Sequence, residues 1–186
     1  MQANAAQSVW PELEANSEAI RQGTSFLGLL TDQQYGAPVS QLGGQRIGPQ
    51  FRHVLEHYQS FFDGLKAENA VRLCEVDYEN RKRDLRLEVN RSFAIEAAHA
   101  ISRTMRSLHE LKPRTSLLVK REEGLAPDCW TDSSVAREMQ FLLSHTIHHY
   151  ALIGMISRCL GVQPPDDFGV APSTLRHQRK LMECAP

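Results

Sequence analysis

His53 and His57, and again His145 and His149, stand four residues apart in a chain of 186 residues. On a helix, residues at that spacing lie on one side about one turn apart, close enough for two imidazoles to bind one divalent ion. A single pair is weak evidence, because eight histidines in this length of chain sometimes fall four apart by chance, and a solvated imidazole on a helix flank is common. Two pairs on two helices are more specific, since helix bundles build metal sites from side chains on facing helices. Thr146 occupies the position where an H-E-x-x-H protease carries its glutamate, which excludes the simplest peptidase reading.

At about 100° per residue, His149 falls beside the stripe Val135, Met139, Leu142, Thr146 and Ile153, with His145 about 40° further out on the same flank. His148 points elsewhere. Glu138 projects along that flank two turns earlier, placed either to orient a ligand or to face solvent. In the earlier pair the same rotation sets His57 about 40° nearer its apolar stripe than His53. The residues alone therefore leave the choice between His53 and His57 open.

Four stretches with helical periodicity must position these side chains. The first spans about Glu12 to Leu30, and DQQYGAPVSQLGG after it reads as a loop because Pro38, Gly36, Gly43 and Gly44 interrupt a helix. The second spans about Ile47 to Leu65, with Pro49 in its first turn and one stripe of Ile47, Phe51, Val54, Leu55, Tyr58, Phe61, Phe62 and Leu65. The third spans about Asn90 to Leu111. The fourth starts within TDSSVARE, where Asp132, Ser133 or Ser134 can cap it, and continues to about Leu160.

Between the second and third helices, VRLCEVDYENRKRDLRLEV reads as a charged loop with helical or extended pieces. TSLLVK and the turn-rich EEGLAPDCW suggest a small extended or hairpin insertion before the fourth helix. The tail DDFGVAPSTLRHQRK is expected to be irregular and to fold over one end, with Phe168 to Pro172 as a lid, a cavity wall or a strap. Connections of such unequal length predict an all-α fold, a four-helix bundle with a crossover connection, in a single domain over residues 1–186.

Composition adds mainly exclusions. With 41% hydrophobic and 23% charged residues and a formal net charge of -1, no global field draws the chain to nucleic acid or anionic membrane. The basic run Arg81, Lys82, Arg83 and Arg86 is interrupted by Asp77, Glu79, Asp84 and Glu88, which argues against a nucleic-acid surface. No stretch approaches the roughly 20 apolar residues of a membrane span, and no leader pattern opens the chain, so a cytoplasmic protein is expected. Cys74, Cys129, Cys159 and Cys184 are too scattered for a zinc ribbon or a disulfide framework.

The segments IGPQFRHVLEHY and REMQFLLSHTIHHYALI resemble the second-helix and last-helix motifs of the DinB-like superfamily, over roughly residues 45–175. The resemblance implies a four-helix metalloprotein of the DinB/YfiT kind. Its ion would be held by His53 from the second helix and by His145 and His149 from the last, with His57 as the alternative or a fourth nearby imidazole. The implied cofactor is a divalent metal ion, zinc or nickel first, with iron or manganese also admitted. The implied activity is that of a metal-dependent transferase or hydrolase acting on a small thiol or electrophilic substrate, in a chain able to form a homodimer. Tyr78, Arg81 and Arg83 in DYENRKRD read either as groups facing an anionic substrate, such as the carboxylates of a small thiol, or as a solvated charged loop. The alternative is a non-enzymatic, metal-stabilised bundle serving as a stress-related binding or dimerisation module.

Overall fold

Apolar stripes explain little unless the helices that carry them meet, and in the computed structural model they do. It describes residues 10–66, 74–108, 112–120 and 129–183. The expected end of the third helix at residues 109–111, most of the turn-rich segment at 121–128, and Cys184 lie outside these residues. The main helices are α1 (Pro11–Leu29), α3 (Ile47–Lys66), α5 (Arg91–Ser107) and α6 (Val135–Cys159). Helix α1 packs against α5 and α6, and α3 packs against the same two.

Local chemistry sets where these helices begin. Pro11 opens α1, where its missing N–H costs nothing. Asn90 accepts from the Phe93 amide to cap α5, and Ser134 accepts from the Arg137 amide to cap α6. All eight residues of the α3 stripe are buried, as are Val135, Met139, Leu142, Thr146 and Ile153 of α6. The outward-tilted Phe93, Ile95 and Ala97 of α5 are only partly covered.

A buried hydrogen-bond chain fixes the relative height of three of these helices. The Thr146 hydroxyl donates to the Tyr58 hydroxyl at 3.1 Å, Tyr58 donates to Asn16 Oδ1 at 2.7 Å, and Asn16 Nδ2 donates to the Met139 carbonyl at 2.8 Å. All three side chains are inaccessible to solvent. Tyr58 follows His57 and Thr146 follows His145 in the chain, so the same contacts align the two histidine pairs.

Three sequence expectations need correction. The chain is mostly helical but not all-α, because it carries a three-stranded sheet of β1 (Cys74–Val76), β2 (Ser116–Lys120) and β3 (Trp130–Ser134), ordered β1-β2-β3. The expected hairpin is there as the antiparallel pair β2–β3, whereas the parallel pairing of Cys74, Glu75 and Val76 with Leu117, Leu118 and Val119 adds a strand from within the charged loop. Gly64 lets β1 dock on α3: a Cβ there would lie 2.5 Å from the Glu75 carbonyl oxygen. Three residues are too few to show a period.

The stretch after α1 is not simply loop, since Thr31 and Gln34 close a reciprocal capping box over α2 (Asp32–Gly36), followed by a 3-10 turn at Ser40–Leu42. The short α4 (Arg86–Val89) precedes α5. The tail is irregular only as far as Ala171, after which α7 (Pro172–Glu183) forms with no buried residue. Phe168 acts as a strap, its ring 4.4 Å from Phe26 and 4.7 Å from Tyr150.

Removing the central hydroxyl should expose the weight of the buried chain. Tyr58→Phe leaves Thr146 and Asn16 each short of a partner, and is expected to cost about 1–3 kcal/mol of stability in urea denaturation. A loss within experimental error would show that the chain does not fix the helices.

Candidate metal centre

Helices α3 and α6 bring four imidazoles into one cluster. His145 Nε2 lies 3.0 Å from His53 Nε2. The ring centroid of His57 is 4.1 Å from that of His145 and 4.4 Å from that of His53, and the His149 ring lies 4.5 Å and 4.6 Å from the same two. His53, His57 and His145 each bring a ring nitrogen within 4.8 Å of the other two. His148 is exposed and only edges against His149, as its direction on the helix predicts.

The hydrogen bonds of the rings separate their roles. His149 Nδ1 lies 2.7 Å from Gln50 Oε1, an acceptor that fixes the proton on Nδ1 and leaves Nε2 as a lone-pair donor. His57 Nδ1 donates to the His53 carbonyl at 2.7 Å, but its Nε2 already faces the Arg81 guanidinium at 3.2 Å. The ring most buried of the four is thus capped by a cation. His145 Nδ1 is buried without a partner, so nothing but the centre itself sets that ring's tautomer.

The donor set fits a divalent ion. Two nitrogens bound tetrahedrally at ~2.0–2.1 Å are about 3.3 Å apart, close to the separation of the His53 and His145 Nε2 atoms. In the absence of an ion only one of those nitrogens can carry the proton between them. His149 offers a third lone pair already oriented from behind by Gln50.

The surroundings keep the imidazoles neutral. Burial lowers His53 to about 4, with Arg81 and Arg52 adding to it. Burial takes His57 down to about 3, opposed by its bond to the His53 carbonyl and aided by His53 and Arg81. His145 falls to about 2 through burial and then His57, and His149 to about 4 through burial and then His53. Neutral imidazole is the form that binds metal, so at neutral pH no proton has to leave first.

The second layer comes largely from the small sheet, whose β2–β3 hairpin the sequence suggested and whose parallel strand β1 it did not. Strand β1 leads into an Asp77 turn, in which Oδ1 accepts from the Glu79 and Asn80 amides, and Lys120 of β2 binds the other oxygen at 3.0 Å. That turn carries Tyr78 and Arg81 to the cluster. Tyr78 stacks on His57 and donates to Glu138 Oε2 at 3.0 Å, while Ser133 of β3 donates to Oε1 at 2.5 Å. Glu138, expected either to orient a ligand or to face solvent, is buried and acts on the cluster through Tyr78. Burial and then Glu138 hold the Tyr78 phenol well above its ordinary range.

Phe141 covers His145, with ring centroids 5.6 Å apart. On the His149 side a cavity of about 390 Å³ opens between Leu42, Gln50, Leu152, Met155 and Ile156. A wider groove, about 1070 Å³, runs along α1, α5 and α7 and has none of the four clustered imidazoles in its wall. Gln50 and Phe141 were not singled out by sequence, and Ser133 was named only as a possible cap rather than as the partner of Glu138. Gln50 had a signal, since it precedes His53 by three residues and shares its helix face.

No family model matches the sequence. FK506-binding protein 5 of Rhizopus delemar is 33% identical over 107 residues, a stretch equal to 56% of this chain and 28% of that protein. The chain thus matches under a third of the length of that curated relative. Among the described residues, no helix is long and apolar enough to cross a membrane.

Four imidazoles kept neutral make the metal-free fold acid-sensitive. An unfolded histidine titrates near 6.5, so below that pH the unfolded chain takes up protons that the folded cluster refuses. Stability is therefore full above about 6.5 and declines as pH falls toward 4. The urea midpoint of metal-free protein should drop over this window, and a double His53→Gln, His145→Gln change should flatten the drop. An unchanged slope in that variant would assign the acid sensitivity elsewhere.

Proposed function

We propose that this chain is a divalent-metal-binding protein of the DinB-like kind, with His53, His145 and His149 as ligands on a four-helix bundle framework. The observation that carries this reading is the pair of facing Nε2 atoms on His53 and His145, 3.0 Å apart and contributed by two different helices. By separation of ring nitrogens His57 completes the set with His53 and His145, yet His149 is preferred as third ligand because Gln50 leaves its Nε2 available, whereas Arg81 occupies that of His57. The reading owes nothing to the FK506-binding relative, whose matched stretch is a minor part of that protein.

Held by His53, His145 and His149, an ion would keep open positions, where it would supply either a water lowered toward a neutral pKa or a site for a thiol as thiolate. That chemistry suits a metal-dependent transferase or hydrolase acting on a small thiol or electrophile. The chain's own residues do the positioning. Gln50 holds the His149 ring and its proton, Glu138 holds Tyr78 against His57, and Phe141 screens His145 from water. The apolar wall of Leu152, Met155 and Ile156 beside His149 offers room for the carbon skeleton of a substrate.

The same cluster ties α3 to α6, which favours a structural reading as the alternative: a metal-braced bundle without turnover. Chelation that lowers the melting temperature, with no turnover across thiol and electrophile panels, would support that version.

Protein purified without chelator is expected to carry about one divalent ion per chain by elemental analysis. The double His145→Ala, His149→Ala change should abolish it, and Gln50→Leu should weaken binding by about 10–100-fold. His57→Ala should keep the ion. Native protein that is metal-free, and stays so after incubation with zinc or nickel, would defeat the reading.

A further inference from the structure

Among the described residues, several positive charges near the cluster are matched with acids. Arg46 and Arg52 both reach Glu88, Arg86 pairs with Asp84, and Lys82 lies 3.7 Å from Asp63. Arg81 has no carboxylate within 4.0 Å among the described residues. Its Nη1 donates to the Tyr78 carbonyl and sits against His57 Nε2, and its Nε is buried without any hydrogen-bond partner. A guanidinium drawn out of water against neutral imidazoles, with an N–H left over, is an expensive arrangement.

The arrangement is also costly to hold in place. The Asp77 turn, the Lys120 bridge and the parallel pairing of β1 together carry Arg81 to this spot. Adding a divalent ion to the cluster would raise the local positive charge further, and the buried acids Glu138 and Glu56 on the same two helices are already engaged. Glu138 is engaged by Tyr78, Ser133 and Arg137, and Glu56 by the Asp84 amide. The missing negative charge has to come from the ligand.

We infer that Arg81 is the anion handle of this centre, and that the site takes a small oxyanion, in its simplest form a carboxylate, on the guanidinium beside the histidines. The inference rests on the metal-centre reading and names the ligand class for it. Nε and the neighbouring Nη2 form the side-on fork that receives a carboxylate through two parallel hydrogen bonds. Nη1 stays on Tyr78 and His57, so the anion is read without releasing the loop.

The test uses the whole chain loaded with cobalt(II), whose visible spectrum reports its ligands, titrated with sodium acetate and, as the neutral isostere, acetamide. Acetate should perturb the native spectrum and acetamide should not. Arg81→Met should bind the same amount of cobalt but acetate at least about tenfold more weakly. Arg81→Lys, which keeps the charge and loses the fork, should fall between them and guards against a folding defect in the methionine variant. Equal acetate affinity in native and Arg81→Met protein overturns the inference. A parallel titration of metal-free protein, followed by calorimetry, separates the two claims. If cobalt does not bind at all, the metal reading fails. Acetate binding to metal-free native protein but not to metal-free Arg81→Met would still uphold the handle, and equal binding would remove it.

Discussion

The hydroxyl of Tyr58 holds α3 at one height against α6 and α1, because it accepts from Thr146 and donates to Asn16 in a fully buried chain of bonds. A hydrogen bond missing at any link would leave a polar group without water or partner, so sliding one helix along another is penalised at once. The apolar stripes on the same helices lack that specificity, since Leu, Phe and Val tolerate small shifts far better than a hydroxyl tolerates losing its acceptor. His57 and His145 sit one residue before the two bonded hydroxyl side chains. The histidine cluster therefore inherits its geometry from a network that touches no ligand.

On that frame, electrostatics decide what the cluster can be. Four rings share a dry space in which any one proton would repel the others and Arg81, so all are held neutral at physiological pH. Neutral rings with converging lone pairs suit a metal ion, and an uncompensated guanidinium beside them suits an anion. The two preferences support each other, because an anion near the ion offsets the charge that each brings. The three-stranded sheet serves this arrangement directly: β1 delivers Tyr78 and Arg81, and β3 ends at Ser133 and the cap of α6.

What could be read from the sequence followed from periodicity. The stripes of α3 and α6 and the cap at Ser134 placed those two helices within a residue or two, and α5 was placed at its start, whereas its expected run to Leu111 passes the observed end at Ser107. Spacing also placed His145 and His149 on one flank and His148 off it. The helical wheel correctly made His57 the deeper member of its pair, yet depth did not reveal that Arg81 would cap its Nε2. The charged loop was expected to hold extended pieces, but strand β1 could not be located because Cys74, Glu75 and Val76 are too short a run, and their pairing partner lies about 40 residues later. Gln50, and the bond from Ser133 to Glu138, escaped because a polar residue on a helix flank or before a cap has many ordinary explanations.

The central claim is that His53 and the last-helix pair hold one ion while His57 stays with Arg81. Anomalous diffraction at the zinc edge, from crystals grown with zinc, tests it most directly. The account predicts a single strong peak within bonding distance of one nitrogen each of His53, His145 and His149, with His57 Nε2 still against the Arg81 guanidinium. A peak bound by His57 with Arg81 swung away, or no peak among these four rings, would contradict it.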